Sequence, residues 1–127
     1  MSEWFRRFAR ETGVAEPKAL DFELCLNEIV TNIILYGYDT SSEREIHITL
    51  ERDRGDLRAT IEDDGRPFDP LGAKPPRQPA TLEDATLGGW GIPIVRALVD
   101  DWRYERRDGR NRLTIVSRAS EAERSGL

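Results

Sequence analysis

Apolar residues recur at helical steps in some stretches of the chain and alternate with polar residues in others, and the two periods lay out its elements in order. Trp4, Phe5 and Phe8 fall on one side of a short helix over residues 2–12, with Gly13 as its stop. Leu20, Leu24, Leu26, Ile29, Val30, Ile33 and Ile34 then repeat at three- and four-residue steps. They predict a longer helix running from Pro17, which suits a first turn, to Gly37. Ile46, Ile48 and Leu50 alternate with Glu45, His47, Thr49 and Glu51. Leu57, Ala59 and Ile61 resume the alternation after Asp53-Arg54-Gly55-Asp56, which predicts an antiparallel hairpin.

From Asp63 to about Leu87 periodicity gives way to glycines, polar residues and Pro67, Pro70, Pro75, Pro76 and Pro79. A loop of that length inside a compact domain is functional or disordered. Ile92 to Val99 predicts a third helix, with Pro93 in the first turn where its missing N–H costs nothing. Trp102 and Tyr104, then Leu113 and Ile115, flank Asp108-Gly109 as a second hairpin, and the polar tail over 119–127 is expected to fray. The order implies one α+β domain over 1–127, a two-layer α/β sandwich. Its mostly antiparallel sheet has at least four strands, with about three helices on one face.

Composition narrows the function classes. A chain of 127 residues with 38% hydrophobic content supplies one core. The formal net charge of -5 argues against direct nucleic-acid binding. The single Cys25 excludes an intrachain disulfide, fits a reducing compartment and reads as a small buried apolar residue. The charged N-terminus and the lack of any long apolar run predict a cytoplasmic protein with no membrane segment. One histidine, His47, lies in a strand pattern, which disfavours histidine-pair metal sites and Ser-His-Asp hydrolysis.

Three groups of residues carry chemistry. Glu28, Asn32 and Tyr36 share one stripe of the second helix beside its apolar stripe. An amide oxygen such as that of Asn32 suits a Mg2+ shell completed by phosphate oxygens and water, and Glu28 one turn earlier suits a general base. The polar edge of an ordinary amphipathic helix has the same pattern. Asp63-Asp64-Gly65 follows a strand, where a carboxylate can accept from an adenine amino group and glycine admits the base closely. An acidic turn is the plain alternative, although Arg66-Pro67-Phe68-Asp69-Pro70 adds a prolyl-fixed loop with an apolar ring at Phe68. Gly88, Gly89 and Gly91, around Trp90 and ahead of Ile92, could offer backbone amides to a triphosphate, or simply cap a helix. No phosphate-loop lysine is present: the chain's lysines are Lys18 and Lys74.

Taken in order, Glu28-x-x-x-Asn32, Asp63-x-Gly65-Arg66-Pro67-Phe68-Asp69-Pro70 and Gly88-Gly89-Trp90-Gly91-Ile92 resemble the N, G1 and G2 boxes of the Bergerat-fold (GHKL) ATPases. The likeness runs from about Leu20 to Arg118 and is nearest the single-domain anti-sigma regulatory factor and serine/threonine kinase branch. It is supported by the closing segment Trp102-x-Tyr104 to Gly109-x-Asn111-x-Leu113.

The resemblance implies ATP and Mg2+ as cofactors. Glu28 would be the catalytic base and Asn32 the metal ligand, and Tyr36, Asp63, Gly65, Phe68, Gly88, Gly89, Trp90, Gly91 and Ile92 would surround the nucleotide under a lid over about 66–91. It implies transfer of the ATP γ-phosphate to a Ser or Thr of a small anti-sigma-factor antagonist, with a sigma factor as a second partner. An ATP-gated binding module that captures its partner without phosphorylating it is the alternative. The branch's kinases end the first box in His where Tyr36 stands here. The branch's N-terminal strand, which contributes to dimerisation, has no counterpart in the helical pattern at the start, and a homodimer stays open.

Overall fold

Two hairpins, each closed by a two-residue turn, build the sheet. The computed structural model describes residues 2–36, 45–72 and 91–120. Strands β1 (Ile46–Asp53) and β2 (Asp56–Asp63) are joined through Arg54 and Gly55, both at positive φ. Strands β3 (Asp101–Arg107) and β4 (Arg110–Ser117) are joined through Asp108 and Gly109, again both at positive φ. Paired positive φ values are what a tight hairpin needs to follow the right-handed twist of its strands, and the X-Gly dipeptides supply them. The four strands pair antiparallel throughout in the order β1-β2-β4-β3, so the hairpins meet along β2 and β4.

Helices α1 (Ser2–Thr12), α2 (Glu16–Tyr36) and α3 (Gly91–Leu98) supply the second layer. Helix α1 stops where expected. Gly13 takes a φ of 74°, its N–H reaches Arg10 O and that of Val14 reaches Ala9 O. These two bonds are those of a Schellman ending, with Val14 turned back to the core over Ala9. Phe5 of α1 stacks on Phe22 of α2 with ring centroids 6.0 Å apart. The core joins Phe22, Leu26, Ile29 and Ile33 of α2 and Val95 of α3 to Leu57, Ala59 and Ile61 of β2 and Leu113 and Ile115 of β4. The opposite sheet face carries polar side chains, among them Glu51, Arg58, Arg103 and Arg112.

The α+β two-layer architecture is therefore as the sequence predicts, with small shifts of boundary. The strip facing the core is narrower than the apolar pattern of α2 suggests: Leu20, Leu24 and Ile34 are exposed, whereas Phe22 and Cys25 are buried in their stead. Trp4 likewise points away from the core that Phe5 fills. A helix of this length packs only a stripe against a sheet, and the extra apolar positions fall outside it. Cys25 is buried as expected, and burial, with Asp21 and Glu28 nearby, pushes its thiol up to about 11. Among the described residues no helix is long and apolar enough to cross a membrane.

Candidate nucleotide site

The inward row of β2 runs Leu57, Ala59, Ile61, Asp63, and that of β4 runs Ile115, Leu113, Asn111. Each apolar row thus ends in a polar residue at the same end of the core. The register makes Asp63 and Asn111 direct cross-strand partners, and both are almost completely buried. Buried polar groups have to be hydrogen-bonded, and this pair is. Asp63 Oδ1 accepts from Gly65 N at 2.9 Å and from Asn111 Nδ2 at 3.0 Å. The first bond makes Asp63-Asp64-Gly65 an Asx-turn that lifts the chain off the strand.

The chain after that turn wraps around Asn111. Its Nδ2 also donates to Arg66 O at 2.8 Å, and its Oδ1 accepts from Phe68 N at 3.2 Å and from the Tyr104 hydroxyl. Arg106 of β3 donates to Gly65 O at 2.7 Å. Burial pushes the Tyr104 phenol above its ordinary value, which keeps it a proton donor. Beyond Phe68, Asp69 Oδ1 accepts from Leu71 N at 3.0 Å, and Pro70 and Leu71 are buried. A Cβ at Gly72 would lie 2.5 Å from Asp69 Oδ2, so a larger residue there would have to push the Asp69 carboxyl group aside. Residues 66–72, the first part of the expected lid, are thus anchored to the body of the domain.

The stripe on α2 varies in depth along the helix. Asn32 is buried and donates from Nδ2 to Glu28 O at 2.7 Å, which leaves its Oδ1 as an acceptor. Glu28 is half-buried, and its carboxylate makes no hydrogen bond among the described residues. Tyr36 is exposed and lies against Phe68, with ring centroids 6.3 Å apart. Arg66 Nε donates to Tyr36 O at 3.1 Å, so the end of α2 is tied to the loop after β2 by both main chain and rings. Arg96 of α3 donates to Leu71 O, which ties the same loop to the third helix. The segments carrying the first two motifs and the helix that follows the third therefore interlock.

Gly91 opens α3. Gly88, Gly89 and Trp90, with the remainder of the glycine motif's loop over 73–90, lie outside the described residues, as does the side chain of Ile92. The donor set on view fits the groups expected. Among the described residues Asp63 Oδ2 accepts no hydrogen bond, which leaves it for an amino donor. Asn32 Oδ1 is a neutral oxygen of the kind that joins a Mg2+ shell. Among the described residues no cluster of three or more His, Cys, Asp or Glu could cage an ion. A Mg2+ at Asn32 would therefore share its shell with phosphate oxygens and water.

Sequence patterning did not single out Asn111, Tyr104 or Arg106 as site residues. One signal was present for Asn111: in Asn111-x-Leu113-x-Ile115 an amide occupies the buried phase of a strand, a position that demands partners.

This α-helical layer on an antiparallel sheet has known counterparts. The histidine kinase-like ATPase domain family matches residues 1–117, and the chain belongs to that family, whose domains bind ATP. It is 34% identical over 117 residues to the serine/threonine-protein kinase BtrW of Bordetella bronchiseptica, a match covering 92% of this chain and 82% of that one. Its fold is shared with the histidine kinase domain of a blue-light activated histidine kinase from Erythrobacter litoralis. There the TM-score is 0.58 at 22% identity, over 84% of this chain and 50% of that chain.

Proposed function

We propose that this protein is an ATP-dependent serine/threonine protein kinase of the anti-sigma regulatory type, acting in the cytoplasm on a small anti-sigma-factor antagonist and able to sequester a sigma factor. The observation that carries the reading is the juxtaposition of the buried Asp63 carboxylate with the Glu28 and Asn32 helix, through the Arg66 and Phe68 contacts to Tyr36. The 34% identity to a protein named as a serine/threonine kinase supports transfer to a hydroxyl.

In this reading Asp63 accepts from the adenine amino group, Gly65 lets the base approach, and Phe68 and Tyr36 border it. The amides of Gly88, Gly89, Trp90, Gly91 and Ile92 and the N-terminal end of α3 receive the phosphates. When bound, Mg2+ would neutralise charge at the phosphates, and Asn32 Oδ1 would help to hold it. Glu28 takes the proton from a Ser or Thr hydroxyl as that oxygen bonds to the γ-phosphorus. The bond from phosphorus to the bridging oxygen breaks, and ADP leaves with the electron pair. With Mg2+ and labelled ATP, label is expected on a Ser or Thr of the antagonist. Bound ATP with no label transferred would leave the protein an ATP-gated binding module instead.

A further inference from the structure

Asn111 sits where two one-way backbone partners decide its orientation. The Phe68 N–H can only donate, so the Asn111 atom 3.2 Å from it is the oxygen. Arg66 O can only accept, so the atom 2.8 Å from that is the nitrogen. The Tyr104 hydroxyl gives Oδ1 its second donor, and Nδ2 has one hydrogen left, which goes to Asp63 Oδ1 at 3.0 Å. All four hydrogen-bonding positions of the amide are then in use, and a flip would lose the bonds to Phe68, Arg66 and Asp63, since only the Tyr104 hydroxyl could reverse its role.

The consequence falls on Asp63. Both of its donors, Gly65 N and Asn111 Nδ2, converge on Oδ1. Two donors on one oxygen fix the plane of the carboxylate and turn Oδ2 into the edge that can meet a ligand. From this we infer that Asn111 is a positioning residue for base recognition. Held by Phe68 and Tyr104, it fixes Asp63 as an acceptor for the 6-amino group of adenine and so discriminates against 6-oxo purines. The inference rests on the ATP-binding reading above. A 6-oxo purine would bring an acceptor against an acceptor, and the fixed carboxylate could not turn away to relieve it. With Asn111 replaced by an apolar residue of similar size, one of the two donors is lost and Asp63 can rotate.

The test is calorimetric titration of the full chain with the Mg2+ complexes of ATP and inosine triphosphate, which differ at the 6 position. Wild type is expected to prefer ATP by about tenfold or more, the loss expected of one unmade hydrogen bond in a buried site. Asn111→Leu is expected to bring ATP affinity to within a few-fold of inosine triphosphate affinity, with the latter little changed. A parallel loss of both at an unchanged ratio would show that Asn111 merely supports the fold, and a retained preference at full affinity would show that Asp63 needs no help. Either result overturns the inference. Tyr104→Phe removes only the hydroxyl on Oδ1 and serves if the leucine variant does not fold. A ratio reduced a few-fold supports the inference, and an unchanged ratio overturns it. Wild type that binds neither nucleotide would instead remove the ATP reading, and the inference with it.

Discussion

The two ends of the candidate site are built in opposite ways. Around Asp63 the side chains are mutually bonded, with Asp63 and Asn111 themselves buried, and their places follow from strand register: Asp63 faces Asn111, and Arg106 is the next partner along. Along α2 the stripe has buried Asn32 at its middle, flanked by half-buried Glu28 one turn before it and exposed Tyr36 one turn after. The Glu28 carboxylate there has no hydrogen bond among the described residues. A fixed cluster that leaves one acceptor edge open, Asp63 Oδ2, suits recognition of one invariant group, the adenine base. A half-open helix face suits a step that needs a second molecule to arrive. The two ends should therefore be open to separate damage.

The largest separation is expected from Glu28→Ala. Loss of a general base costs about 10²–10⁴-fold in the transfer rate. Since Glu28 is not among the groups that meet adenine or Mg2+ in this reading, Mg-ATP affinity should stay within a few-fold, which paired transfer assays and calorimetry would check. Comparable losses in both would erase the distinction between the ends. Asp63→Ala is expected to act the other way, weakening ATP by about a hundredfold through loss of a buried charged acceptor. Ile29, fully buried between Glu28 and Asn32 on the same helix, carries no chemistry. Ile29→Ala should cost about 2–5 kcal/mol of stability in denaturant unfolding and impair both ends through the fold.

The smallest effect concerns pH. The Cys25 thiol is raised to about 11 in the folded chain, above the ordinary value near 9. Its contribution to stability is therefore complete below about 9 and is lost as pH climbs from there to about 11, where the unfolded thiol ionises first. The slope is about 1.4 kcal/mol per pH unit across that window. Cys25→Ala should flatten it, as unfolding midpoints measured between pH 8 and 11 would reveal.

The fold was legible in the sequence because its signals are local. Alternation in Ile46 to Leu50 and Leu57 to Ile61, with X-Gly turns at Arg54-Gly55 and Asp108-Gly109, specifies both hairpins. Three-residue and four-residue recurrence gives α2, but it overstates the core by including Leu20, Leu24 and Ile34, since periodicity does not reveal how wide a stripe the sheet covers. The site was only half legible. Glu28, Asn32 and Asp63 announce themselves by type and spacing. The partners of Asp63 do not: Asn111 is contributed by β4 and Tyr104 by β3, and their meeting depends on which strands pair and in what register. That long-range information is not written in any one stretch of chain.

The central claim is that Asp63 and Asn32 belong to one pocket that binds ATP with Mg2+, and calorimetric titration of Mg-ATP into wild type, Asp63→Ala and Asn32→Ala tests it most directly. The account predicts saturable one-to-one binding to wild type and a weakening of about a hundredfold or more in both variants, each still folded by circular dichroism. Unchanged ATP affinity in the two variants would contradict it.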